Sequence, residues 1–218
     1  MMNELPLAYL PSEFRVKWVT LPWEAEQAYR LRRAVFCEEQ GIFAHDDRDA
    51  VDERAQLLVA LSCLAGLPDQ VIGTVRIHDE GDGLWFGSRL AVDPAWRKHA
   101  RLGITLIRLA VASAGALGCR VFRAHVQSQN VPLFQRLDWH VLHEETLLGR
   151  PHHLMQADLA SYPPCHTPQA GYAGLAARPA PSSNLPTGES ACPPPPSCLR
   201  SMRTTTSPSS AVARPACP

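Results

Sequence analysis

The sequence predicts an α/β protein of the α+β kind, with a mixed, mostly antiparallel sheet, one central parallel strand pair and flanking helices. Three apolar segments are joined by the connectors Gly66-Leu67-Pro68-Asp69 and Glu80-Gly81-Asp82-Gly83, whose composition is typical of hairpin turns. A helical pattern separates residues 84–92 from residues 121–126, and neighbouring strands joined by a helix run parallel. A last pair of strands meets around Gly149, which predicts an antiparallel hairpin.

The individual elements follow from periodicity and from residues that end helices or strands. Residues 14–19 alternate between polar and apolar side chains and predict the first strand, which Pro22 follows. Residues 24–40 carry apolar side chains at helical spacing, and Gly41 ends that helix before a charged segment. The other predicted elements are strands at 57–64, 71–78 and 84–92, a helix at 103–117, a strand at 121–126, a short helix at 130–137, and strands at 140–148 and 152–159.

Composition narrows the classes of partner. The 218 residues carry no formal net charge, which gives no reason to expect nucleic acid as a partner. There is no apolar run of membrane-spanning length and no leader pattern at the N-terminus, so we expect no membrane association and a cytoplasmic location. The seven cysteines include no C-x-x-C pair, so we expect no bound metal.

The chain changes character near Ala160. Residues 160–218 contain most of the 20 prolines together with many serines and threonines, and such a segment buries too little apolar surface to order itself. We therefore predict an N-terminal extension at 1–13, one domain at 14–159, and a Pro/Ser-rich disordered tail at 160–218. The tail is either a linker or docking segment or an extension without a role.

A strand, a basic loop and a helix follow one another between Leu84 and Ile107. Asp93-Pro94 ends the strand, and Arg97, Lys98 and Arg101 precede a helical pattern that includes Gly103. The first turn of a helix has unpaired backbone N–H groups and a partial positive charge, which suits an anion. An ordinary solvated loop before a helix is the alternative.

This stretch also carries a family resemblance. Val92-x-Pro94-x-x-Arg97, then Arg101-x-Gly103, resembles the acetyl-CoA pyrophosphate loop of the GNAT N-acyltransferase superfamily, V-x-P-x-x-[QR]-x-x-G-x-[GA]-x-x-L. Ala100 stands at the first glycine position of that motif and Leu102 at the second. The predicted order of elements matches the GNAT order over residues 14–159. The segments VFCEEQGIF, GTVRI, SRLAV, AHVQSQNVPLFQRLDW and GRPHHLMQADL are similar to a subgroup of N-acetyltransferases whose genes neighbour a nitrilase gene.

The resemblance implies a GNAT-like sheet whose central parallel strands splay apart, with the pantetheine of acetyl-CoA lying beside residues 90–92. It implies a small-molecule amine as acceptor, and either a homodimer or a complex with an enzyme of the same gene cluster. The cofactor-binding residues that it implies are Leu90, Ala91, Val92, Arg97, Lys98, Arg101, Leu102, Gly103, Ile104, Thr105, Asn130 and Phe134. For Asn130, capping of the next helix is an equal alternative.

Acylation of an amine needs a proton acceptor, and the leaving thiolate needs a proton. Many GNATs supply that proton from a tyrosine in L-Y-x-x-L-G-F, where this chain has Phe134, so another residue or water has to serve. Candidate bases are the carboxylates Glu38, Glu39, Asp46, Asp47, Asp49 and Asp52, with a solvated charged loop as the alternative. We predict Glu39 as the catalytic base by resemblance to GNATs with V-F-x-x-E-Q.

Arg76 is the second predicted catalytic residue. It lies in an apolar strand and shares a face with Thr74 and His78, where it is placed either to grip an acceptor carboxylate or to form a structural ion pair. An arginine of this kind together with the acidic loop also resembles acyl-homoserine lactone synthases, a related group that acylates an amino-acid-derived amine. A third alternative, motivated by Ala100 and Phe134, is a GNAT-fold protein that binds CoA or a partner without catalysis.

Overall fold

One eight-stranded sheet forms the centre of the molecule in the computed structural model, which describes residues 13–175. The strands are β1 (Glu13–Trp18), β2 (Gln56–Leu64), β3 (Leu67–Gly81), β4 (Leu84–Val92), β5 (Val121–Gln127), β6 (Trp139–Leu147), β7 (Arg150–Ala157) and β8 (Tyr172–Leu175). Their order in the sheet is β6-β7-β5-β4-β3-β2-β1-β8. All neighbouring strands among the described residues are antiparallel except β4 and β5, which confirms the predicted fold class.

Three α-helices accompany the sheet: α1 (Pro22–Arg33), α2 (Ala100–Ala116) and α3 (Val131–Gln135). The chain continues from α1 as a π-helical turn (Ala34–Glu39), so the predicted helix at 24–40 is confirmed with a change of winding in its last turns. Short 3₁₀ turns are present at Ala50–Glu53, Pro94–Trp96, Ser128–Asn130 and Leu159–Ser161. The helix predicted from Gly103 begins three residues earlier, at Ala100, which places Gly103 in its first turn.

The two longer helices cover opposite faces of the sheet. Leu102, Leu106 and Leu109 of α2 are fully buried in the larger apolar cluster, against strand residues such as Ile72. A methyl group added at Gly73 of β3 would lie 2.7 Å from Leu102, which shows how closely α2 approaches the sheet. Helix α1 and its π-helical turn cover the other face through a second cluster of Ala28, Leu31, Val35, Phe36, Val59, Leu61, Val71 and Ala91.

The ordered region extends beyond the predicted domain boundary at residue 159. Strand β8 pairs antiparallel with β1. Tyr162 is buried, and its hydroxyl accepts a hydrogen bond from Trp139 Nε1 at 3.0 Å. The main chain of Cys165 donates to Ala112 of α2 at 2.9 Å. The predicted disorder is therefore wrong for residues 160–175, because a few specific contacts compensate for a composition poor in large aliphatic residues. Residues 1–12 of the predicted N-terminal extension and residues 176–218 of the predicted tail lie outside the described residues.

Candidate active site

Strands β4 and β5 separate part of the way along their length. Their parallel pairing covers only Leu84–Gly87 and Val121–Ala124. Beyond Gly87, β4 continues to Val92 with β3 as its neighbour on one side, and no strand of residues 13–175 pairs with it on the other. A cavity of about 1160 Å³ opens at this split. Residues of β4, β5, α2 and the π-helical turn after α1 contribute to its lining.

A bulge in β4 lies next to the split. The register between β3 and β4 shifts between the pairs Thr74–Ala91 and Arg76–Ser88, so β4 carries one more residue than β3 there. Arg89 occupies the bulge with φ +56°, a left-handed conformation that costs a non-glycine residue about 1–2 kcal/mol. This strain requires support from the surrounding residues, and the acidic loop supplies it.

The acidic loop forms a network of ion pairs rather than a row of solvated carboxylates. Arg32 is fully buried; its Nε donates to Asp47 at 2.8 Å and its Nη1 to Asp52 at 2.6 Å. Arg89 donates from Nη2 to the Asp47 carbonyl at 3.0 Å and to Asp49 Oδ2 at 3.1 Å. The loop therefore holds the β4 bulge in place, a structural role that the sequence pattern alone did not distinguish from base catalysis.

Arg76 belongs to the same network. Arg76 is 3% exposed. Its two terminal nitrogens donate to Asp49 at 2.6 and 2.8 Å, and Nη1 also lies 2.8 Å from Asp52. The remaining Nε donates to Ser88 Oγ at 2.8 Å. Arg76 borders the cavity, but its donors are engaged within the protein, which fits the structural alternative better than a grip on a substrate carboxylate.

These pairs make Asp49 and Asp52 poor proton acceptors. Burial alone would raise the pKa of Asp52, but hydrogen bonds from Arg32, the main chain of Asp49 and Arg76 outweigh burial and hold it well below its usual range. The hydrogen bonds from Arg76 likewise lower the pKa of Asp49. Of the other candidates, Glu38 is exposed and lies 3.5 Å from Arg33, and Asp46 is exposed and lies 4.0 Å from Arg48.

Glu39, the predicted base, borders the cavity but forms a two-pronged ion pair with Arg97. The two Glu39 oxygens lie 2.6 and 2.5 Å from the Arg97 terminal nitrogens, and Arg97 Nε donates to the Val92 carbonyl at 3.0 Å. Both side chains are about 40% exposed. The hydrogen bond from Arg97 lowers the pKa of Glu39, which weakens it as a base in this arrangement.

The predicted cofactor residues separate into two groups. Those that line the cavity are Leu90, Ala91, Val92, Arg97, Gly103, Asn130 and Phe134. Those that do not line it are Lys98, Arg101, Leu102, Ile104 and Thr105. Leu102 is fully buried in the core and its N–H donates to the His99 carbonyl at 3.0 Å, while Thr105 Oγ1 donates to the Arg101 carbonyl at 2.7 Å.

The start of α2 is open toward the cavity. No side chain caps this helix end, and a methyl group placed on Gly103 would meet nothing within 4 Å. Arg97 lies three residues before Ala100, the first residue of the helix. Uncapped backbone donors, free space above Gly103 and a nearby guanidinium together can accept a phosphate group.

Two further predicted residues lie where α3 meets the cavity. Asn130 occupies the N-cap position of α3, but its side chain forms no capping hydrogen bond there, so the capping alternative is wrong. Phe134 is buried and meets the Trp139 ring edge-to-face at 5.0 Å, and it offers no acidic proton. The hydroxyl of Tyr162 is bound to Trp139 and to the Leu137 carbonyl, so it does not replace the missing tyrosine.

Two histidine–glutamate pairs, which the sequence reasoning missed, border the cavity on the α1 side of the sheet. His78 Nε2 of β3 lies 2.9 Å from Glu80, and His125 Nδ1 of β5 is hydrogen-bonded to Glu145 of β6. The Phe86 ring of β4 stacks between the imidazoles, 6.0 Å from His78 and 5.7 Å from His125. The alternation of β3 placed His78 beside Arg76, but the pairing of His125 across β7 with Glu145 had no signal in the local sequence.

A second side of the cavity is closed by contacts of Gln40, the residue after the π-helical turn, with the β6–β7 hairpin and with β5. Arg150 of the hairpin donates to the Gln40 carbonyl, and Gln127 of β5 donates to the Gln40 side chain at 3.2 Å. The apolar residues around this side are Phe36, Ile42, Phe43, Leu147 and Leu148. Leu148 at the hairpin tip is 64% exposed and continues this apolar lining to the surface.

Residues 13–175 contain no group of three or more histidine, cysteine, aspartate or glutamate side chains that could hold a metal ion. None of the helices in the same part of the chain is long and apolar enough to cross a membrane.

Known proteins share both the sequence pattern and the fold. A sequence model described as the Acetyltransferase (GNAT) family matches residues 17–139. A Bacillus subtilis (strain 168) protein named "Putative acetyltransferase" is 28% identical over 142 residues, which are 64% of this chain and 93% of that protein. A crystal structure of a "putative N-acetyltransferase" from Lactobacillus plantarum has a TM-score of 0.60 and 25% identity, and the match covers 67% of this chain and 98% of that chain.

The fold is also shared with more distant enzymes. FeeM, an N-acyl amino acid synthase from uncultured soil microbes, has a TM-score of 0.54 at 13% identity, and the match covers 70% of this chain and 95% of that chain. At this identity the likeness concerns the fold alone.

Proposed function

Because the chain belongs to the acetyltransferase (GNAT) family, we propose that it is an acyl-CoA-dependent N-acyltransferase, with acetyl-CoA as donor and the amine of a small molecule or amino acid as acceptor. The observation that carries this proposal is the split between β4 and β5 and the cavity that opens there. In this proposal the reaction takes place in the cytoplasm.

The donor occupies the side of the cavity bordered by α2. The edge of β4 from Ser88 to Val92 has no neighbouring strand, so its backbone groups are available to pair with the amides of a pantetheine arm, as an added strand would. The diphosphate then lies at the uncapped start of α2, within reach of Arg97. Asn130, whose side chain forms no capping bond, is available to the same arm.

The acceptor occupies the α1 side of the cavity, which Gln40 and the β6–β7 hairpin enclose. Its amine nitrogen attacks the thioester carbonyl carbon, the C–N bond forms and the C–S bond breaks. A thiolate with an ordinary thiol pKa of about 8.5 leaves without strong assistance, so the absence of a hydroxyl at Phe134 does not prevent transfer. The amine must lose a proton, and a group that accepts it has to lie on this side of the cavity.

Calorimetry with acetyl-CoA followed by thiol release against a panel of amines tests the proposal. We expect binding that depends on Arg97 and thiol release with at least one primary amine. An exposed arginine on α2 that does not line the cavity, Arg108, provides a matched charge-reversal control for Arg97. Absence of acetyl-CoA binding, or equal loss in both variants, would contradict the proposed donor site.

The apolar lining on the acceptor side supports a second candidate, transfer of acyl chains longer than acetyl. Phe36, Ile42, Phe43 and Leu148 would suit such chains, and the fold is shared with an N-acyl amino acid synthase. A lactone-synthase-like enzyme belongs to this candidate. Competition among acyl-CoAs of increasing length separates the two, since a preference for octanoyl over acetyl favours the second. Binding without turnover for any acyl chain and any amine favours a non-catalytic CoA-binding protein.

We also propose membership of the subgroup whose genes neighbour a nitrilase gene, on the basis of segments such as VFCEEQGIF and GRPHHLMQADL. The partner would then be a second copy of this chain or an enzyme encoded nearby. Light scattering of the purified chain, alone and mixed with the products of its neighbouring genes, tests this proposal. A monomer that associates with none of them would contradict it.

A further inference from the structure

The face of the sheet that borders the acceptor side carries two imidazoles with the same surroundings. His78 and His125 lie on either side of the Phe86 ring, and each has one ring nitrogen on a glutamate. A carboxylate on one ring nitrogen fixes the tautomer, leaves a lone pair on the other nitrogen and stabilises the imidazolium that forms when that lone pair takes a proton. Either pair has the composition of a general base.

Their access to the cavity differs. His78 is 8% exposed, its Nδ1 is buried with no hydrogen-bond partner, and burial lowers its pKa against the opposing effect of Glu80. The His125 side chain is 39% exposed, and within the described residues its Nε2 forms no hydrogen bond. A substrate amine that enters the cavity can therefore reach His125 Nε2, whereas the protein encloses His78 Nδ1.

The position of His125 along β5 is also distinctive. Ala124 is the last residue of β5 that pairs with β4, so His125 is the first residue beyond the point where the strands separate. Its side chain extends from that point to the α1 face, the face on which Gln40 and the hairpin enclose the acceptor side. A thioester carbonyl held in the split would be adjacent to this residue.

We propose that His125 Nε2 accepts the proton of the acceptor amine and that Glu145 is the positioning residue that holds the imidazole in the required tautomer. This assignment rests on the proposed function. As the nitrogen attacks the thioester carbon, its proton passes to His125 Nε2, and the thiolate of CoA departs as the C–S bond breaks. The imidazolium then returns its proton to the thiolate or to water, so that an amide and a thiol result.

Several other charged or titratable groups face this imidazole or the cavity beside it. Arg123 of β5 is two residues away on the same face and donates to Gln156 at 3.1 Å. His143 of β6 and His125 are both paired with Leu154, so they lie in one row across β7. The other charged or titratable residues that line the cavity are His152 and Arg150 of β7, the pair of His78 and Glu80 on β3, the pair of Glu39 and Arg97, and Arg76, Arg89, His99 and Arg136.

The test compares the pH dependence of thiol release for the wild-type chain and three variants. His125→Asn keeps a hydrogen-bond donor near Glu145 but lacks Nε2. We expect its kcat to fall about 10²–10⁴-fold while its affinity for acetyl-CoA is unchanged. We also expect the acid limb of the pH profile of kcat/KM to be lost. Glu145→Gln should move that limb to lower pH, because the imidazolium loses its carboxylate. His140→Asn is the control, because His140 is an exposed histidine of β6 that does not line the cavity, and its kcat should stay within threefold of wild type.

Each outcome decides the assignment. Retained turnover in His125→Asn, an acid limb that Glu145→Gln leaves in place, or an equal loss in His140→Asn would overturn it while leaving the transferase function intact. A wild-type chain that binds acetyl-CoA but acylates no amine would refute the proposed function and this assignment together.

Discussion

The ion pair between Glu39 and Arg97 allows a sharp test. The sequence predicts Glu39 as the catalytic base and Arg97 as a cofactor-binding residue, but in the structure the two side chains bind each other. If Arg97 turns to the diphosphate of the donor, its bond with Glu39 has to break first. Replacement of Glu39 by Gln removes that competitor. It also removes the carboxylate that the sequence predicts as the catalytic base, so a single substitution separates the two roles.

The exposure of the pair sets the size of the effect. Both side chains are about 40% exposed, and ion pairs of this exposure contribute about 0.2–1 kcal/mol. Release of Arg97 should therefore tighten acetyl-CoA binding by up to about fivefold at low salt, and the gain should shrink as salt screens the pair. If Glu39 only competes for Arg97, kcat stays within threefold, whereas loss of a general base lowers kcat by about 10²–10⁴-fold.

Calorimetry at low and high salt, together with thiol-release kinetics, provides the assay. Glu38→Gln is a matched control, because Glu38 is the preceding residue, is exposed, pairs with Arg33 and does not line the cavity. Equal affinities for Glu39→Gln and Glu38→Gln would refute the competition between Glu39 and the diphosphate. A loss of kcat by a hundredfold or more would restore Glu39 as the base.

The remaining predictions concern the donor site, the ion-pair network of the acidic loop, and residues 160–175 with strand β8. Arg97→Glu should weaken acetyl-CoA binding at least tenfold in calorimetry, and Arg108→Glu should leave it unchanged; equal effects would contradict a diphosphate site. Asp52→Asn should lower the free energy of unfolding by about 3 kcal/mol in urea titrations, against about 0.5 kcal/mol for the exposed Asp46→Asn. Because folding lowers the pKa of Asp52, the wild type should lose this stabilisation as pH falls below about 4, and a flat profile there would contradict the network. A chain ending before residue 160 should melt at a lower temperature than one ending after residue 175, and identical melting would contradict the role of β8 and Tyr162.

Most of the fold followed from local signals in the sequence. Hairpin turns, helix-ending glycines and the alternation of polar and apolar side chains predicted the order of the strands along the chain and their directions, because each signal acts within a few residues. β8 and the contacts of Tyr162 were missed, since the contacts that order residues 160–175 are with Trp139 and with β1, far away in the sequence. Composition describes how much apolar surface a segment can bury, but a few specific hydrogen bonds also contribute to its order.

The site was less predictable for the same reason. Arg97 and Gly103 were predicted from a local family motif and Asn130 from a family position after a strand, and all three border the cavity. The carboxylates of the acidic loop stayed candidate bases beside a solvated-loop alternative, because their partners Arg32 and Arg89 come from α1 and from the β4 bulge and are not visible as partners in the sequence. The pair of His125 and Glu145 spans three strands, and only the order of the sheet brings these residues together.

The most direct test of the central claim is a crystal structure of the chain with acetyl-CoA. The account predicts pantetheine along the free edge of β4 from Ser88 to Val92, the diphosphate at Arg97 and the first turn of α2, and the thioester beside His125. Acetyl-CoA bound elsewhere, or β4 and β5 hydrogen-bonded as far as Val92 and Gln127 with no space between them, would contradict it.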